Sequence, residues 1–194
     1  QSPAGQASPS KGVVVKGKAP VSSEILKVTL PRAQEADLAN GIHLMIIEDH
    51  RVPQISMQML IPGAGGYYDP ADAPGLAGFT SSMMAEGTAT RTSQQIAQEQ
   101  ETMASTVGVS AGGSGESATL MVSSLADNFD KSLALAADIL LNPSFPEAEL
   151  GRFKTRQKAQ LVQVRTMPQF LVAERYGRVI YGDHPSSRVA PTVE

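Results

Sequence analysis

The residues able to do chemistry are few, and their spacing suits little of it. Histidine occurs three times, at His43, His50 and His184, and cysteine not at all. Without thiols, disulfides and thiolate metal sites are excluded. Two imidazoles grip one zinc ion from a helix when they stand four residues apart on one face; no two of these histidines do. His43 lies in a stretch of strand character and reads as a sheet-face side chain. His50 lies in a turn and His184 in a terminal loop, and both read as surface residues. The other candidate is the pair Ser81-Ser82 in PGLAGFTSSMMAEGT. A serine nucleophile needs a base within hydrogen-bond reach, oriented by a third group. Lys154 or Lys158 on a facing helix could supply that base, but adjacent helical serines are more often small polar packing residues. GGSG at 112–115 lacks the Gly-Lys-Ser/Thr of a phosphate loop. It reads as a glycine turn, or a flat strand needing close backbone approach.

These residues must be positioned by both strands and helices. ILKVTL from Ile25 alternates as a half-buried strand does, and Asn40-Gly41 is a turn before a strand over Ile42 to Ile47. After Pro53, QISMQMLIP puts Ile55, Met57 and Met59 on one core-facing side. GAGGYYDPADAP is a loop. A helix is predicted from Gly75 to Glu86, with Met83 and Met84 as core filler, stopped at Gly87. Thr92-Ser93 caps the next helix, with Ile96, Met103 and Ala104 near one face. TVGVSAGGSGESATLMVSSL reads as two strands around a small-residue turn. The following helix spaces Phe129, Leu133, Ala137 and Leu140 along one side and ends at Asn142-Pro143. Further helices run from Glu147 to Val164 and from Pro168 toward Tyr181. Strands in antiparallel pairs and helices in blocks define an α+β domain, a mostly antiparallel sheet with helices packed on one face.

Composition narrows the function classes. A net charge of −3 over 194 residues, with no long basic run, gives no reason to expect nucleic acid. No apolar run approaches the ~20 residues of a membrane span. Residues 1–23 are rich in Ser, Pro, Gly and Lys and read as a flexible arm, with one domain over 24–194. A start at Gln1 suits a removed signal peptide and thus a periplasmic or secreted protein. The domain is expected to continue past Glu194.

The ordered series NGIHLMIIEDHRVPQISMQMLIPGAGGYYDP, PGLAGFTSSMMAEGT, SLALAADILLNPSFPEAEL, a helix with Pro168 and then YGDHP resembles the amino-terminal domain of the pitrilysin/insulinase family of zinc metallopeptidases. That family includes the mitochondrial processing peptidases and many bacterial periplasmic zinc proteases. The resemblance covers Ile25 to Pro185. In active members the helix after the Gly/Asp/Pro loop carries H-x-x-E-H. Its two histidines hold zinc, its Glu is general base to the metal-bound water, and a Glu of a later helix is the third ligand.

The resemblance assigns the first His to Gly78, the catalytic Glu to Ser81 and the second His to Ser82. The distal Glu falls on Gln160, and no Asp or Glu stands between Glu149 and Glu174. Glycine has no ligand atom, and neutral Ser and Gln oxygens are poor zinc ligands. A glycine within a helix costs about 1 kcal/mol relative to Ala, so Gly78 is expected to pack closely against the neighbouring helix. The resemblance therefore implies a chain inactive by itself and without a cofactor. It implies a non-catalytic half of a clam-like peptidase pair that helps enclose and bind peptide, the zinc being carried by a catalytic partner subunit or a second half of the same protein. Two alternatives stand: a fragment of a longer active metallopeptidase with its zinc site in another domain, and a scaffold or peptide-binding protein that pairs extended peptides at a sheet edge.

Overall fold

The computed structural model describes residues 31–188. The predicted strand at Ile25 and the arm over residues 1–23 lie outside them. The chain divides after His50 into two compact units. In the first, β1 (Gln34–Asp37) pairs antiparallel with β2 (His43–Ile46). Its turn is held by the Asn40 side chain accepting from Ile42 N at 3.2 Å, with Gly41 at φ +86. β1 has the polar sequence QEAD, so nothing in its pattern announces a strand; pairing with the apolar β2 makes it one.

In the second unit β3 (Gln54–Pro62), β4 (Thr106–Ser110) and β5 (Ser117–Leu125) form an antiparallel sheet in the order β3-β5-β4. Period-two alternation sends Ala118, Leu120, Val122 and Ser124 of β5 to one buried face. Register places Met57 and Val107 beside Val122, and Met59 and Val109 beside Leu120. Onto this face pack α1 (Leu76–Met84), α2 (Ser93–Thr102) and α3 (Phe129–Leu141), through Met84, Ile96, Met103, Leu135, Ala136 and Ile139. Leu60, Met121 and Leu125 lie on the other, exposed face. α4 (Glu147–Val164) and α5 (Pro168–Tyr181) follow at the predicted bounds, α5 with Pro168 at its first turn. The α+β architecture with helices on one face is the one the sequence predicts.

Three details differ from expectation. α1 is shorter than Gly75–Glu86, because Gly75 takes a left-handed conformation (φ 94) and serves as the cap. α2 carries the expected Thr92 cap, completed as a capping box by Gln95, but ends at Thr102. Ala104, with φ 47, lies beyond the helix, exposed and off the core face. α3 buries Ser132, Leu135, Ala136 and Ile139 rather than the stripe through Leu133 and Ala137. Apolar residues cover most of α3, so spacing alone does not choose a face. The Ser132 hydroxyl settles into the core with its one proton shared between Ser124 Oγ and Asn128 O, each at 3.0 Å.

Candidate functional site

The candidate site is built on α1. Its start is fixed by Asp69, whose carboxylate accepts from Gly75 N at 2.7 Å and Ala77 N at 2.9 Å. A carboxylate there satisfies orphan amides and complements the helix dipole. Arg188 Nη1 donates to the Asp69 carbonyl at 2.7 Å. Asp69 was not singled out in the sequence, because it stands well before the Gly75 cap, outside the position at which a helix-start signal is read. The side of α1 is set by Phe79, whose ring meets Phe153 of α4 edge-on at 5.0 Å. Arg156 of α4 lies 5.3 Å from the Phe153 ring centre and 3.6 Å from the Glu86 carboxylate.

Gly78, Ser81 and Ser82 stand together within one turn of α1. Ser82 is exposed, and its hydroxyl donates back to the Gly78 carbonyl at 2.8 Å. Ser81 is buried, 5 % exposed. Its hydroxyl donates to Gly78 O at 3.0 Å and accepts from Ala111 N, also at 3.0 Å. Gly78 is close-packed as expected, but against a different neighbour. A Cβ built on it meets Ala111 O at 3.0 Å and Gly112 Cα at 3.7 Å. The partner is the β4–β5 turn, not the adjacent helix. The GGSG run forms part of that turn, as predicted, and its flexibility is used for backbone approach.

Gln160 is not brought into this group by any hydrogen bond. It is exposed on α4, about two turns beyond Phe153 on nearly the same side. Lys154 and Lys158 are exposed on the same helix, and neither hydrogen-bonds to Ser81 or Ser82. The three histidines remain far apart in role. His43 lies between Asp37 (2.8 Å) and Glu35 (3.8 Å) on the β1–β2 hairpin, and His50 is 3.4 Å from Glu48. His184 accepts from Ser186 N at 3.2 Å and meets the Tyr67 ring at 5.7 Å.

A zinc ion, which the helix position suggests, does not fit these side chains. Gly78 has no donor atom. The Ser81 hydroxyl is committed to Ala111 and Gly78, and that of Ser82 to Gly78. A cleft of about 410 Å³ runs beside α1, walled by Ile61, Leu76, Thr80, Met84 and Val109 among others. Among the described residues its one carboxylate is Asp69, both of whose oxygens accept helix-start amides. The cleft is thus mostly apolar, and among the described residues it holds no free general base.

A second polar cluster ties the elements around α1 together and was not visible in the sequence. Asp138 of α3 accepts from Thr88 Oγ1 (2.7 Å), Thr90 Oγ1 (3.1 Å), Arg91 Nη1 (2.7 Å) and Asn142 Nδ2 (3.0 Å). Arg91 Nε also donates to Glu99 of α2 at 3.0 Å. The Thr88 hydroxyl, with Asn142, Arg91 and Thr90, lowers the Asp138 carboxyl from 3.8 to about 2, against the opposing effect of burial. Glu99 and then Asp138 raise the Arg91 guanidinium above its ordinary value.

The antiparallel sheet with helices on one of its faces and α1 following the Gly/Asp/Pro loop define an α+β domain. The family model for insulinase (peptidase family M16) matches residues 44–189. The chain belongs to that family. It is 28% identical over 148 residues to an uncharacterized zinc protease of Rickettsia bellii, and 27% identical over 148 residues to one of Rickettsia felis. Each match takes in 76% of this chain and 35% of the relative, so the chain spans about a third of those proteins. Among solved structures it resembles a peptidase M16 inactive domain from Pseudomonas fluorescens, with a TM-score of 0.74 and 28% identity over 81% of this chain and 38% of that one. A protease from Helicobacter pylori shares the fold, with a TM-score of 0.70 at 16% identity over 82% of this chain and 38% of that one. No helix among the described residues is long and apolar enough to cross a membrane.

Proposed function

We propose that this chain is part of a non-catalytic half of an M16 peptidase pair. It helps enclose and bind a peptide while a partner, either a separate subunit or another half of the same protein, carries the zinc. The observation behind this reading is Ser81. It stands where the family places its general base, is buried, and is held by Ala111 N at 3.0 Å. Such a hydroxyl neither ligates zinc nor activates water. Gly78, Ser82 and Gln160 add no acid, base or ligand of their own, so the zinc site is lost and no cofactor is held by this chain. The likeness to a domain described as inactive supports the same reading. Peptide is the substrate class, and the setting is periplasmic or secreted.

The test is affinity capture of the tagged full-length protein from its native host, with mass spectrometry of what accompanies it. A stoichiometric partner carrying H-x-x-E-H is expected. Its absence, with no such motif elsewhere in the full reading frame, would overturn the reading in favour of a scaffold. The arrangement within a single protein has its own support, because the chain spans only 35% of its zinc-protease relatives. A full reading frame with H-x-x-E-H outside these residues would make the chain an inactive domain of an active enzyme.

A further inference from the structure

Gly65, Gly66, Gly78 and Ser81 share one neighbour, the turn that joins β4 to β5. We infer that this turn crowds the space into which side chains at positions 78 and 81, the family's first ligand and general base, would project, so that restoring the family's residues alone does not restore zinc binding. The inference rests on the reading of Gly78, Ser81, Ser82 and Gln160 as replaced ligand and base positions.

The turn is clamped from two sides. On one side, Gly63 N donates to Glu116 O and Tyr67 N to Gly115 O, both at 3.0 Å. Here the approach is backbone to backbone. A Cβ on Gly65 would run into Gly115 O and come within 2.6 Å of Ser117 N. One on Gly66 would run into Gly113 O and lie 3.1 Å from Gly112 C. Backbone atoms cannot swing aside as a side-chain tip can, so both positions require glycine. On the other side, α1 receives the turn at Gly78 and Ser81. The Ser81 hydroxyl meets the Ala111 amide at 3.0 Å and approaches the Ala111 carbonyl at 3.4 Å. Gly113 at φ +58 lets the chain reverse between these two anchors.

Each restored residue meets that arrangement. A His at 78 places its first side-chain carbon 3.0 Å from Ala111 O before the ring begins. A Glu at 81 must lodge a longer, charged side chain where the serine is 5 % exposed, and it leaves the Ala111 amide without its hydroxyl partner. A His at 82 is free of this constraint, since Ser82 is exposed, but one ligand does not make a site. Ser81 is therefore a positioning residue for the end of β4.

The experiment uses the 194-residue chain. Zinc is titrated in competition with a chelating dye against the parent and against the combined variant Gly78→His, Ser81→Glu, Ser82→His, Gln160→Glu. The variant is expected to stay within about tenfold of the parent's weak affinity. A stoichiometric zinc site on the variant, roughly 1,000-fold tighter than on the parent, would overturn the inference and leave the non-catalytic reading intact. Tight zinc on the parent would overturn both. Should the combined variant fail to fold, Ser81→Ala decides by amide hydrogen exchange. The Ala111 amide is expected to exchange about tenfold faster while Val107 and Val109 are unchanged. Unchanged exchange at Ala111 would overturn the inference.

Discussion

Replacing Asp138 by Ala removes the acceptor at the centre of the Thr88–Arg91 cluster. Four donors lose their partner: Thr88, Thr90, Arg91 and Asn142, at 2.7 to 3.1 Å. The Asp138 side chain is 13% exposed and that of Arg91 29%, so the pair is part-buried. Breaking a fully buried ion pair from one side costs about 3–5 kcal/mol. Partial exposure and the bond Arg91 keeps to Glu99 place the loss below that range, at about 2 kcal/mol. For a chain of this size that lowers Tm by roughly 4–8 °C. The pH dependence gives a second signature. The folded-state pKa of Asp138 is lowered from 3.8 to about 2. Its stabilisation is therefore complete above the unfolded value and disappears as pH falls through about 2. Urea denaturation followed by circular dichroism should show the full deficit of Asp138→Ala near neutral pH and a shrinking one toward pH ~2. Asp138→Asn, which keeps an acceptor for Thr88 but not the charge, should lose less near neutral pH, and its deficit should likewise shrink toward pH ~2, because the carboxylate that titrates is the parent's. A deficit below about 1 kcal/mol, or one of constant size down to pH ~2, would refute the reasoning.

Two further substitutions test the packing of α1. Gly78→Ala should gain about 1 kcal/mol from helix propensity at an open position. Here the new Cβ stands 3.0 Å from Ala111 O, so no rise in Tm is expected, and a rise of about 2–4 °C would show that the turn yields freely. Phe153→Ala empties the contact with Phe79 at a position 4% exposed. It should cost about 3–5 kcal/mol, read as a lowered urea midpoint, and a loss under about 1 kcal/mol would place the α1–α4 contact outside the folded core.

The sequence carried the elements better than the contacts between them. Helix starts were legible where local chemistry writes them: Thr92 with Gln95 forms a capping box, and Pro168 opens α5. The core strand was legible in part: Met57 and Met59 of β3 lie beside Val122 and Leu120, but Ile55, expected with them, is exposed near the strand's start. The buried face of α3 was not, because apolar residues on several sides of the helix fit more than one stripe, and the face that packs is the one carrying Ser132, Leu135, Ala136 and Ile139. The substitutions at Gly78, Ser81 and Ser82 could be placed on α1 by resemblance alone. What fills the space around them could not. The contact between Gly78 and Ala111, and the bond from Arg91 to Asp138, join residues far apart in sequence whose types are ordinary for any loop or helix. Neither a glycine nor a lone arginine states its partner. Only the fold brings the turn to the helix.

The measurement to make is the zinc content of the purified chain after exhaustive dialysis, by elemental mass spectrometry, with a parallel assay for peptide hydrolysis. On the reading that places Gly78, Ser81, Ser82 and Gln160 at the family's working positions, neither retained zinc nor hydrolysis is expected. One equivalent of zinc retained per chain, accompanied by peptidase activity from this chain alone, would contradict the reading of a non-catalytic half.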